Sequence, residues 1–278
     1  MRLHQGTLDR PNPLPREVVP GIFWLGECLE QRQQGKIYHG CNASFLIVGG
    51  TASMLVETGH PKDFPIIEGQ LTKLLADKPP LRHVFVTHQE TPHCGGLGRV
   101  LKTFPDALLC GDVSDYHLAF PEYEHRMRWM KEGDEIDLGG RSLMAVEPVI
   151  RDLRTTWWGF DTKERVLFPG DGFAYSHYHE DGHCGLLAEE AVSLDLPDVS
   201  STFADLALFW TKFADMNVYC DRLDHLIARL DVKIIGPTHG PPITDVKTTV
   251  PKVQAGLKAA ALMPESGTNE KVAVAGAS

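Results

Sequence analysis

The chain has 278 residues, 42% hydrophobic and 23% charged, with a formal net charge of −10. That length and balance describe a globular protein with room for a large core and no need of disulfide staples. Lysine and arginine are dispersed rather than blocked, which argues against nucleic acid and anionic membrane as partners.

The opening stretch, "MRLHQGTLDRPNPLPREVVP", holds prolines and charges but no apolar centre. It predicts an irregular arm over residues 1–16 and not a signal peptide. No run of about 18 apolar residues occurs, so no membrane-spanning helix is expected. The cysteines at 28, 41, 94, 110, 184 and 220 form no C-x-x-C pair. They read as reduced thiols of a cytoplasmic protein, each a small buried hydrophobe.

Strand signals begin at Val18 with "GIFWLGE", "NASFLIVGG" and "ASMLVETG", short β-rich runs parted by glycines that suggest an antiparallel meander. In "HPKDFPIIEGQLTKLLADKPP", Ile66, Ile67, Leu71, Leu74 and Leu75 make the apolar stripe of a helix closed by Pro79 and Pro80. A buried strand, "HVFVT", then empties into His88, Glu90 and His93. Thr91 and Pro92 read as the N-cap and first residue of the next helix. Its apolar positions run through Leu97, Val100, Leu101 and Phe104 to Pro105.

A strand "ALLCG" and a helix near 112–120 follow, then "DEIDLGGRSLMAVE", a hairpin about a Gly-Gly turn. "ERVLFPGD" and "VKIIGPTHG" are strands ending in turns that carry Asp171 and His239, with a helical stretch over 201–230 between them. The small, polar tail, 263–278, reads as disordered. Strands and helices alternate in two rough halves around one domain, 17–262, with the polar chemistry where strands end.

Three imidazoles and two carboxylates, His88, Glu90, His93, Asp171 and His239, suffice for one or two first-row metal ions. These motifs, in this order, resemble the metallo-β-lactamase superfamily from about Glu17 to Pro242. "LVETG" is similar to its Asp-Thr-Gly turn with Glu57 for Asp. "THQETPHCGGLG" resembles its metal loop, "LFPGDGF" carries its bridging aspartate, and "IIGPTHGPP" its last histidine. The resemblance implies an α/β, four-layer αββα sandwich. Glu90 and the segments "YHGCNASFLI" and "VLFPGDGFAYSHY" resemble the flavodiiron branch, which implies iron. It also implies an oxidoreductase or oxygenase acting with O2 or NO, or a small organic substrate. No flavodoxin-like segment follows Pro242, so electrons are expected from a separate donor protein or from the substrate.

Two positions depart from the pattern. Pro92 stands where the family has a metal-binding Asp and offers no donor atom. The family's histidine after the hairpin falls, in this register, on Arg151, which is not a metal ligand. Under the resemblance, His88 and Glu90 serve one metal and His93 and His239 a second, with Asp171 between them; a single ion is the alternative. Glu147 is a candidate replacement carboxylate. Arg151 is expected either to bind an anionic substrate or reduced-oxygen species, or to pair with Glu90 or Asp171. "SHYHEDGHC" offers His177, His179 and His183 as a compensating ligand or proton donor, with His177 the first choice, or else as a wet loop. Trp157 and Trp158 read as core or dimer packing, or as aromatic walls of a pocket. A zinc hydrolase of an ester, thioester or lactone, a diatomic-gas sensor and a metal-free degenerate homologue are the other readings; a homodimer is the expected assembly.

Overall fold

A computed structural model describes residues 13–33, 36–178 and 182–263. The tail 264–278 and the arm up to residue 12 lie outside the described residues, as does His179. The chain opens with β1 (Arg16–Val19), β2 (Ile22–Leu25), a hairpin of β3 (Cys28–Gln33) and β4 (Lys36–Cys41), β5 (Ser44–Val48) and β6 (Ser53–Val56). Then come α1 (Phe64–Leu75), β7 (Leu81–Phe85), α2 (Thr91–Cys94), α3 (Leu97–Thr103), β8 (Leu108–Gly111), α4 (Tyr116–Ala119) and β9 (Met127–Trp129). The second half holds β10 (Glu135–Asp137), β11 (Ser142–Val146), β12 (Trp158–Asp161), β13 (Val166–Phe168), α5 (Leu196–Ala207), α6 (Met216–Leu230), β14 (Ile234–Ile235) and α7 (Val246–Ala261).

Two sheets result. One has seven strands in the order β1-β2-β5-β6-β7-β8-β9, and the other five in the order β10-β11-β12-β13-β14. Alternation along the strands assigns their faces. Phe45, Met54, Val56 and Phe85 point to a core shared with Leu143, Val166 and Phe168 of the other sheet. Their neighbours Leu46, Leu55 and Val84 point the opposite way, onto Phe64, Ile67 and Leu71 of α1 and Leu97, Val100 and Leu101 of α3. On the far side, Trp158, Phe160, Leu167 and Ile235 pack against α5, α6 and α7. Three cores between four layers, helix–sheet–sheet–helix, make the αββα sandwich that the sequence motifs imply.

The Gly-Gly hairpin forms as expected: Gly139 and Gly140 have φ of 85° and 76°, and Leu138 N donates to Arg141 O at 2.9 Å. Both central residues lie in the left-handed region, the signature of a two-residue type I′ turn. Other elements differ from expectation. Glu90, not Thr91, is the N-cap of α2, and no side chain caps it. A further helix, α7, follows the last strand, with Pro251 inside it. Its start is marked by Asp245, whose carboxylate accepts from Thr248 N, as an N-cap does.

Candidate metal centre

Sheet topology gathers the donors. β13 and β14 are parallel, with Leu167 beside Ile235. Asp171 and His239 each lie four residues beyond that pair, so they leave the sheet at one edge and reach the same depth. β6 and β7 are also parallel, Val56 beside Phe85, which brings Glu57 and His88 to the corresponding edge of the other sheet. Strand ends of this kind are where open α/β layers collect functional groups. Gly170 lets the two edges touch. Its φ is 57°, and a Cβ there would stand 2.8 Å from Thr87 Oγ1.

His93 Nε2 faces Asp171 Oδ1 at 3.3 Å and His239 Nε2 faces the same oxygen at 3.5 Å. His88 Nε2 faces Asp152 Oδ2 at 3.6 Å, and the centroids of the mutually tilted His88 and His93 rings lie 3.8 Å apart. Three imidazoles therefore turn Nε2 inward toward two carboxylates. Each ring is held from behind through Nδ1. His239 Nδ1 lies 2.6 Å from Cys41 O, His88 Nδ1 lies 3.1 Å from Thr87 Oγ1, and His93 Nδ1 lies 3.1 Å from Glu57 Oε1. Outer partners of this kind fix the tautomer and aim of a metal-binding histidine.

Glu57 is the anchor of that outer shell. It has φ of 62°, is buried, and also takes hydrogen bonds from Thr87 Oγ1 and Thr238 Oγ1 at 3.2 Å. A non-glycine residue in the left-handed region is uncommon and marks a constrained site.

The inward atoms are the telling ones. His88 Nε2, His93 Nε2, Asp152 Oδ1 and Asp171 Oδ1 are buried with no hydrogen-bond partner. Buried polar atoms in native proteins are nearly always satisfied. Orphans from four residues around one point, all metal-ligating types, fit a bound cation.

Charge reinforces the geometry. Burial would raise the Asp171 carboxyl, but His239, His93 and His88 outweigh it and hold the group ionised. Burial opposes charge on His93, yet Glu57 and Asp171 together hold its imidazole well above the usual value. Burial and the charge of His93 push His88 down to about 3. Burial, then the neighbouring Asp171, pushes Asp152 up to about 9.

The structure brings together four of the predicted ligands, His88, His93, Asp171 and His239. Glu90 is exposed and stands outside the close cluster of His88, His93 and Asp171. Glu147 and Arg151 also lie away from the donors: they pair with each other at 2.8 Å on the surface. Glu147 further lines a surface hollow with Arg222 and His225. The carboxylate that does enter is Asp152, whose side chain is 8% exposed. The signal was present, since Asp152 directly follows the position aligned with the family's histidine. His177 is buried in a different cluster, with Cys28, His39 and Cys184, and stands apart from the donors gathered here. His183 Nε2 lies 2.8 Å from Ser193 Oγ. Trp158 is wholly buried in the core under Gly172, which excludes it as a pocket wall.

Removing either exposed partner, Glu147→Ala or Arg151→Ala, is expected to leave metal content unchanged. Stability should shift by no more than about 1 kcal/mol, the usual ceiling for an exposed ion pair. Elemental analysis and a denaturation midpoint check both.

The sequence profile of the family described as "ODP family beta lactamase" matches residues 41–240. The chain belongs to this family. It is similar to "Coenzyme F420H(2) oxidase" of Methanocaldococcus jannaschii, 21% identical over 246 residues, covering 82% of this chain and 57% of that protein. It is also similar to "Hydroxyacylglutathione hydrolase" of Aeromonas salmonicida, 36% identical over 76 residues, or 27% of this chain and 28% of that one. Among solved structures, rubredoxin oxygen:oxidoreductase from Desulfovibrio gigas matches with a TM-score of 0.68 at 14% identity, covering 90% of this chain and 62% of that chain. The fold is thus that of the metallo-β-lactamase superfamily and its flavodiiron-like branch. The chain spans little more than half of the first curated relative. Among the described residues, no helix is long and apolar enough to cross a membrane.

Proposed function

We propose that this family member binds iron, as one or two ions, and acts as an oxidoreductase on O2 or NO with electrons from a separate partner. The observation that carries the reading is the convergence of three Nε2 atoms and two carboxylates, four of those atoms buried without partners. His93, His239 and Asp171 form a two-histidine, one-carboxylate face, and His88 with Asp152 supplies a second pair of donors. This all-nitrogen-and-oxygen set is harder than a thiolate site and suits ferrous iron. Bound there, iron would supply one-electron exchange and open positions for a diatomic ligand.

The chain's own groups have distinct tasks. Asp171 neutralises positive charge at the shared position. Glu57, Thr87 and the Cys41 carbonyl hold the three rings in aim. Asp152, with its carboxyl pushed up to about 9, holds a proton at neutral pH in the metal-free centre, beside His88. The oxidase and oxygen-oxidoreductase names of the relatives support this direction.

A zinc hydrolase is the second reading, favoured by the short match to a hydroxyacylglutathione hydrolase. Pro92 weakens it, because the residue that would bind and orient at that place has no donor. Protein purified without a chelating tag decides between the two. Iron by elemental analysis, a visible spectrum that changes on admitting air, and oxygen or NO consumption with a reductant are expected. Zinc at the His93 centre with turnover of a thioester would overturn the proposal.

A further inference from the structure

A second group of donors, separate from the first, is built from residues that the sequence leaves far apart. Cys28, His39, His177 and Cys184 are all buried, and one ligand atom from each lies within 4.8 Å of the others. Strand pairing explains the meeting. Cys28 stands opposite Cys41 and Glu30 opposite His39 in the β3–β4 hairpin. Directly opposed residues share a face, and so do alternate ones, which makes Cys28 and His39 diagonal neighbours. His39 in turn bridges His177 through two backbone hydrogen bonds of 2.8 Å, N to O in each direction. That pairing places both imidazoles on one side, their centroids 5.9 Å apart. Cys184 closes the ring.

We propose that Cys28, His39, His177 and Cys184 form a structural Cys2His2 zinc site, distinct from the His88–Asp171 centre. Zinc bonds of about 2.3 Å to sulfur and about 2.0–2.1 Å to nitrogen put tetrahedral ligand atoms roughly 3.3–3.8 Å apart. The separations here are 3.2 Å for Cys28 Sγ to Cys184 Sγ, 3.2 Å for Cys28 Sγ to His39 Nδ1 and 3.7 Å for Cys184 Sγ to His39 Nδ1. The sulfurs stand well outside disulfide bonding distance, about 2.05 Å. The fully buried His177 ring has only the Cys184 thiol against it and no nitrogen or oxygen partner for either ring nitrogen, which suits an imidazole that shares a cation with that sulfur.

Four protein ligands and full burial leave no open position, the mark of a structural rather than a catalytic zinc. Two thiolates and two imidazoles are also softer than the donors of the first centre, so the two sites sort different metals. Binding would release to solvent whatever protons the two sulfurs and two imidazoles share in the metal-free protein and change no oxidation state. The site would clamp the β3–β4 hairpin to the segment that follows Asp171. In water a lone two-stranded hairpin is marginal, and the clamp supplies what its polar sequence lacks.

The test is metal analysis of the full chain. The expected result is zinc at one equivalent per chain that Cys28→Ser/Cys184→Ser loses while iron is unchanged, and that Asp171→Ala retains while iron is lost. Cobalt exchanged into the site should show thiolate charge-transfer and tetrahedral bands that vanish in the cysteine variant alone. If that variant fails to fold, wild-type protein decides: a mercurial added with a zinc-sensitive dye should release zinc in step with thiol modification. Equal zinc in wild type and the cysteine variant, no zinc released on thiol modification, or a Cys28–Cys184 disulfide found by peptide mapping would each overturn the proposal. The result stands or falls independently of iron in the first centre.

Discussion

Replacing Asp171 with alanine is expected to strip the metal from the His88–His93–His239 centre and with it any activity on O2 or NO. Among the described residues, Asp171 is the acid that faces two of the three inward histidines, at 3.3 and 3.5 Å. Loss of an outer partner of a metal ligand costs about 10–100-fold in affinity. Loss of a shared ligand should exceed that, so a drop of at least about 100-fold is the expected floor. The metal-free variant also suffers, because His93 keeps its burial but loses one of the two carboxylates that favour its charge. Breaking such a buried pair costs about 3–5 kcal/mol when the remaining charge cannot be shed. Glu57 remains against His93, so the loss should fall at or below the lower end. Asp171→Asn keeps the shape without the charge and should also fail to hold metal. Calorimetric titration with ferrous iron under anaerobic conditions measures the affinity; a variant that binds like wild type would refute the assignment.

The second large effect is on pH. In the metal-free centre two of the donors hold protons at neutral pH: His93, whose imidazole is held well above its usual value, and Asp152, pushed up to about 9. Both must be bare to bind a cation. Each released proton makes affinity rise about tenfold per pH unit while its group is protonated. Apparent affinity should therefore climb by up to about 100-fold per unit from neutrality, lose Asp152's share of that slope as pH passes about 9, and level off only once His93 has also given up its proton. The metal-free protein should behave oppositely. A raised folded-state value means stability present below the unfolded value, about 6.5 for His and about 3.9 for Asp, and lost as pH rises through the folded one. His88, held down at about 3, works at the other end. The unfolded chain takes that proton below about 6.5, so stability also declines as pH falls from there toward 3. Glu57→Gln removes one of the two charges that hold the His93 proton, so its affinity–pH slope should be shallower near neutrality. Its affinity at high pH should be about 10–100-fold lower, because the outer partner has been weakened. A slope equal to wild type would show that Glu57 does not govern that proton.

Much of this centre is legible in the sequence, for a physical reason. His88, Asp171 and His239 each end a short apolar strand at a Gly/Pro/Thr turn, and such turns are where a chain can expose a donor without breaking a ladder. The Gly139–Gly140 hairpin follows from turn chemistry, whereas the pair of sheets is implied by the family resemblance, because their central strands are buried on both faces and show no alternation. Asp152 was missed because "VEPVIRDLR" has no regular element to set its register, and one residue separates an exposed arginine from a buried ligand. The Cys28–His39–His177–Cys184 cluster was invisible for a different reason. Its two cysteines are 156 positions apart, and its first strand pair, "CLEQRQ" and "KIYHGC", has too little apolar alternation to announce itself. Spacing rules detect metal sites that one local segment folds around. They do not detect sites that tertiary structure assembles.

The parallel register of Leu167 with Ile235 carries one more consequence. Asp171 and His239 are delivered by counting: equal numbers of residues past equal points on neighbouring strands. The scaffold therefore prescribes where donor atoms stand and is indifferent to which donors they are. A proline at 92 and a carboxylate at 152 can alter the chelate without disturbing a strand. A one-residue insertion after Leu167 would unseat Asp171 although every ligand type were kept. Lineages built on such a frame can change metals and reactions by point substitution, while length changes in these two turns are closed to them.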